Sequence, residues 1–225
     1  MTSWTDSRVK AELHGSAPIL DVEMADSITS RCRLLQALSL EEPFLTRGPL
    51  SQNRQHWIRA QRSRPQSAVP SEASFVGAQE AAVALARTQP RKVGIYTSTA
   101  AKNGHGMWRA FLECGTEGSL HRRPWAVWHL QPEPNVVVLD IDSAQAWRDL
   151  VERYPRVVGD YMYPHWPRVA SEFDAVHVTL PAIVATQAFA LPASPHPVAP
   201  AYWDVETTLW LRWRFTSATQ IEVVD

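Results

Sequence analysis

The stretch PWAVWHLQPEPNVVVLDI, residues 124–141, decides the fold class. Branched and aromatic residues fill both of its ends and Pro132-Glu133-Pro134 separates them, so it reads as strand, turn, strand. Two strands with no helix between them break the βα alternation that a parallel doubly wound sheet requires. Upstream, KVGIYTST (92–99) reads as a strand, AAKNGHG (100–106) as a polar turn and MWRAFLEC (107–114) as a helix. Downstream, Asp142 or Ser143 caps a helix over SAQAWRDLVERY (143–154), whose Trp147, Leu150, Val151 and Tyr154 form an apolar stripe.

The aromatic, Pro-rich run Pro155–Pro167 reads as a loop, PRVASEFD (167–174) as a short helix and AVHVTL (175–180) as a strand. In YWDVETTLWLRWRF (202–215), Leu209, Leu211, Trp213 and Phe215 alternate with Thr208, Trp210, Arg212 and Arg214, which predicts one long strand. IEVV (221–224) reads as an edge strand. The expected fold class is therefore α+β with a mostly antiparallel sheet and peripheral helices.

The chain before residue 92 has a different character. Met24, Ile28, Leu35 and Leu38 predict a helix within 21–40, and Phe75, Val76, Ala82, Val83 and Leu85 predict another, opened at Pro70-Ser71-Glu72 and ended by Pro90. Between them, Phe44 to Pro70 reads as a loop or tethered arm. It carries Arg54, Arg59, Arg62 and Arg64 with no acidic residue between Leu50 and Glu72. The expected organisation is a helical, basic N-terminal segment over 1–91 and an α+β core over 92–225, together one compact unit.

Composition bounds the function. The 225 residues are 45% hydrophobic and 20% charged with a formal net charge of −1, enough to bury a core and too balanced for a global field that recruits nucleic acid or membrane. Nineteen of the 22 basic residues are Arg, a bias that suits either an Arg-rich surface or forked recognition of phosphate. Cys32 and Cys114 stand alone, so neither a disulfide framework nor a metal site is expected. MTSWTDSRVKAELHG lacks the apolar region of a conventional signal peptide, and no run reaches membrane-spanning length, so the expectation is a cytoplasmic chain or one exported by another route. There is no GxGxxG, GxxxxGK[ST] or GxSxG.

What remains is polar residues at strand ends. In Tyr96-Thr97-Ser98-Thr99, alternation puts Tyr96 and Ser98 on one face, an aromatic shelf beside a hydroxyl. Arg47 in FLTRGPL would sit beside a turn that lets a ligand approach. Glu113 in the last turn of its helix opposes the helix dipole. His177 and Thr179 share a strand face, and Glu206 opens the last long strand on the face of Arg212 and Arg214, where a surface ion pair is the plain expectation.

An Arg before a turn, a Tyr-x-Ser strand end, a Glu in the following helix and a late strand ending in a hydroxyl resemble, over roughly residues 44–180, the RES-domain proteins. These are NAD-consuming toxins of the ADP-ribosyltransferase superfamily. The resemblance implies a split antiparallel sheet and cleavage of NAD+ as transferase or glycohydrolase. By position, Arg47 would meet the pyrophosphate, Tyr96 and Ser98 the nicotinamide, and Thr179 would be the final hydroxyl. Glu113 would be the acid; the wider superfamily places its acid on a late strand, which makes Glu206 the rival. A carboxylate suits the oxocarbenium-like state of nicotinamide–ribose cleavage. Implied partners are NAD+, an acceptor that is protein or nucleic acid, and an antitoxin, with no membrane. Two other readings stand beside it: a non-catalytic module binding protein or nucleic acid through Arg54–Arg64, and a nuclease-like activity using His177, His129 or His105.

Overall fold

The computed structural model describes residues 52–60, 69–78, 93–100, 104–114, 123–186, 190–201 and 203–225. The helix expected within 21–40, Arg47, Arg62, Arg64 and residues 79–92 lie outside the described residues. The described chain is α+β, with a seven-stranded sheet, a two-stranded ribbon and four helices among those residues.

The strands are β1 (Gln55–Ala60), β2 (Ile95–Thr99), β3 (Trp125–Pro132), β4 (Val138–Ile141), β5 (Pro155–Val158), β6 (Tyr161–Pro164), β7 (Ala175–Val178), β8 (Thr207–Trp210) and β9 (Phe215–Val224). The helices are α1 (Met107–Cys114), α2 (Ala144–Arg153), α3 (Trp166–Glu172) and α4 (Leu180–Thr186). The large sheet runs β4-β7-β8-β2-β1-β3-β9, and only the β4–β7 pair is parallel. β2 gives Ile95–Thr97 to β8 and only Ser98 and Thr99 to β1, so the sheet splits into β4-β7-β8-β2 and β1-β3-β9 halves that share the end of β2.

Register sorts the side chains. Asp140 faces His177, His177 faces Thr208, Thr208 faces Thr97, and Gln55 faces Thr99, so these residues line one face of the sheet. Farther along the same face, Ile95, Ala175 and Trp210 pack with Trp128, Leu130 and Phe215; the Trp210 and Phe215 rings lie 4.6 Å apart. On the opposite face Tyr96, Val176, Val178 and Leu209 meet α2, α3 and α4 through Trp147, Trp166 and Ile183, with Trp203 from the segment before β8 in the same cluster. Buried Trp147 satisfies its indole N–H on the Ala199 carbonyl at 3.0 Å. Ser143 caps α2 by accepting from Ala146 N at 3.2 Å.

Four sequence expectations are corrected. The arm expected over 44–70 contains β1, paired on both sides inside the sheet; its alternation is weak because the buried inward residue at its start is polar Gln55. The helix expected from Pro70-Ser71-Glu72 to Pro90 does not run through Phe75 and Val76, where a 3-10 turn, Glu72–Ser74, closes at extended Phe75; Ala82, Val83 and Leu85 lie outside the described residues. The loop expected over 155–167 holds the β5–β6 hairpin, turned at Gly159-Asp160 with Gly159 at φ 58°, a two-residue hairpin signal between branched and aromatic residues. The long strand expected over 202–215 ends at Trp210: Leu211 N donates to Asp174 O at 2.8 Å and Arg212 reaches buried Asp174 at 3.2 Å, which turns the chain toward β9. That turn also takes Arg214 to Glu133, at 3.0 Å.

Gly94 sits at φ +72° at the entry to β2, where an added Cβ would fall 2.3 Å from the Trp210 carbonyl oxygen. No side chain rotation relieves a clash with backbone. Gly94→Ala should therefore lower stability by about 2 kcal/mol or more, measured by urea unfolding.

Candidate active site

A line of buried polar groups crosses the sheet where its halves part. Glu206, immediately before β8, is fully buried. Its Oε1 accepts from Thr99 Oγ1 at 2.9 Å and lies 2.9 Å from His177 Nε2, while Oε2 accepts from Thr99 N at 3.1 Å. On its other side, His177 Nδ1 lies 2.7 Å from Asp140 Oδ1, and Asp140 is 41% exposed. Toward the second half of the sheet, Gln55 Nε2 donates to Thr99 Oγ1 at 3.1 Å, Thr97 Oγ1 donates to Gln55 Oε1, and Trp210 Nε1 donates to Thr97 Oγ1 at 2.9 Å. Each donor in this series points toward Glu206, so the dipoles reinforce one another at its carboxylate.

The protonation of His177 follows from geometry. A neutral imidazole has one N–H, yet both ring nitrogens face carboxylate oxygens, and only the imidazolium satisfies both. Burial disfavours that charge, but the hydrogen bonds to Asp140 and Glu206 outweigh it and raise the pKa from 6.5 to about 9. At neutral pH the His177 imidazolium thus stands between the carboxyl groups of Asp140 and Glu206.

Among the described residues Glu206 Oε2 has a single donor, and two residues along the same face Thr208 Oγ1 is buried with no hydrogen-bond partner. An acceptor with spare capacity and an unmatched hydroxyl lie two residues apart at the head of β8. Together they can receive the hydroxyls of a ligand.

The other expected residues are placed as follows. Tyr96 and Ser98 do share a face, opposite that of Thr97, Thr99 and Glu206. Tyr96 packs 5.9 Å from Trp203, its hydroxyl pKa raised by burial, and Ser98 Oγ accepts from Trp108 N at 3.1 Å. Glu113 pairs with Arg109 one turn away at 2.9 Å, which accounts for its place at a helix end. Thr179 Oγ1 donates to Ile141 O at 3.2 Å and ties the end of β7 to that of β4. Glu206 makes no surface pair with Arg212 and Arg214, because the chain has turned before them. His56 and His129 lie 5.8 Å apart on the Ser98 side; burial, then His129, His105, Arg109 and Arg54, depress the His56 pKa to about 4. The His residues of the nuclease-like reading are thereby divided between the two faces, with His177 alone on that of Glu206.

Asp140, Thr97, Thr99 and Gln55 were missed as site residues. An Asp inside Val138-Leu139-Asp140-Ile141 and the Thr97/Thr99 alternation were legible signals; Gln55 gave none. Among the described residues no group of His, Cys, Asp and Glu is placed to hold a metal ion, and no helix is long and apolar enough to cross a membrane. No family model, curated protein or solved structure matches this chain.

Proposed function

We propose that the chain cleaves the nicotinamide–ribose bond of NAD+, as ADP-ribosyltransferase or NAD glycohydrolase, with Glu206 as its acid. The observation that carries this reading is a buried carboxylate at the head of a late strand, at the split of an antiparallel sheet, fixed by both donors of Thr99 at the end of β2. It favours an ADP-ribosyltransferase-like split sheet, and it favours Glu206 over Glu113, whose carboxylate is engaged by Arg109. In the reaction the bond between the anomeric carbon and the nicotinamide nitrogen breaks, and its electron pair leaves with nicotinamide. The acceptor's nucleophilic atom bonds to the anomeric carbon and gives up its proton to water. Glu206 faces the developing positive charge, and Oε2 with Thr208 Oγ1 is available to ribose hydroxyls. Because Glu206 is fully enclosed, NAD+ must open this face to reach it.

The test is direct: NAD+ should raise the melting temperature of the purified protein and be consumed by it. A chain that neither binds nor depletes NAD+ is not this enzyme.

The complete burial of Glu206 favours a second reading, in which the polar line is a structural ion pair and the chain is a binding module. Arg59 is exposed on β1 with its guanidinium 5.8 Å from the Trp57 ring, a pairing suited to an acidic partner or a nucleobase. Under this reading Arg59→Ala weakens a salt-sensitive association and Glu206→Gln leaves that association intact.

A further inference from the structure

The Asp140–His177 pair has no part in the chemistry stated above, although it occupies the side of Glu206 opposite Thr99. The two sides do different things. Thr99 anchors both oxygens through a backbone N–H and a hydroxyl, whereas His177 holds only Oε1 and leaves Oε2 as the oxygen with room for a ligand. His177 is itself fully buried in β7, where rotation would strip it of both partners, and its orientation is set by Asp140 on the neighbouring parallel strand.

We propose that His177, braced by Asp140, is the positioning residue for Glu206, and that turnover of NAD+ depends on His177 donating to both carboxylates at once. The inference rests on the NAD+ reading of the site. Asp140 from β4 and Glu206 from the head of β8 are the titratable groups that face His177; Thr208 from β8 is its neutral cross-strand neighbour. Of the two carboxylates, Asp140 alone reaches solvent, so the bracing end of the unit can be substituted without opening the buried side of Glu206.

The experiment compares wild type with Asp140→Asn, a change at the half-exposed end that preserves size. Nicotinamide release from NAD+ is followed from pH 6 to pH 10, corrected for enzyme-free loss. Wild-type kcat should fall on the alkaline side as His177 loses its proton near pH 9. In Asp140→Asn the same fall should begin about one pH unit lower, a roughly tenfold deficit in kcat between the two limbs, with KM little changed and recovery toward wild type as the pH is lowered. Parallel pH profiles for the two proteins would overturn the proposal. If the wild type releases no nicotinamide, the NAD+ reading fails by itself. The bracing is then read from the His177 ring resonances: an imidazolium kept to about pH 9 and lost earlier in Asp140→Asn supports it, and a ring titrating near 6.5 in both proteins refutes it.

Discussion

Urea unfolding of the wild-type chain should show its stability falling steeply between about pH 6.5 and pH 9. His177 has a folded pKa raised above its unfolded value, so its contribution is complete below the unfolded value of 6.5 and is lost as pH rises through about 9. That interval corresponds to roughly 3 kcal/mol or less. His177→Gln cannot carry the charge. It should lower stability at neutral pH by about 3 kcal/mol or more, because Glu206 is left buried without its counter-charge, and the fall across this window should flatten. A wild type equally stable at pH 6.5 and 9 would mean that the two carboxylates do not hold the imidazolium.

Glu206→Gln should have the largest effect on activity. Gln keeps the shape and can still accept from Thr99, but offers no negative charge to an oxocarbenium-like centre. The expected loss in kcat is on the order of a hundredfold to a thousandfold, with a far-ultraviolet circular dichroism spectrum like that of wild type. Glu113→Gln provides the contrast. Its partner is Arg109 on the same helix, and Arg109 also pairs with Glu222, so removing one charge should shift stability by about 0.5 kcal/mol or less and leave activity within a few-fold. Equal losses for the two variants would remove the distinction between the acids.

Much of the architecture was legible because its signals are local. β2, α1, β3, β4, α2 and β7 follow from branched runs, a small-residue turn and a Ser143 cap, each settled within a few residues of chain. What escaped the sequence depends on distant partners. β1 begins with a buried polar residue, and Gln55 is accommodated there because Thr97 and Thr99 of β2 meet both ends of its amide. β8 stops where it does because Asp174, thirty-odd residues earlier, draws in the chain after Trp210, an effect no alternation count contains.

The site shows the same division. Alternation placed Tyr96 and Ser98 together, and the structure agrees, but which face of β2 meets Glu206 is fixed by the β2–β8 register. That register pairs Thr97 with Thr208 and turns Thr99 toward the acid. His177 was visible as a titratable residue in an apolar strand; its coupling to Asp140 needed the parallel β4–β7 pairing, made across two intervening helices and a hairpin.

Release of free nicotinamide from NAD+ reports on the proposed action of Glu206 at the nicotinamide–ribose bond. Wild type should release nicotinamide over many turnovers, one for each NAD+ lost, while folded Glu206→Gln releases it on the order of a hundred times more slowly or worse. Equal release by the two proteins, or none from a wild type saturated with NAD+, would exclude this role for Glu206.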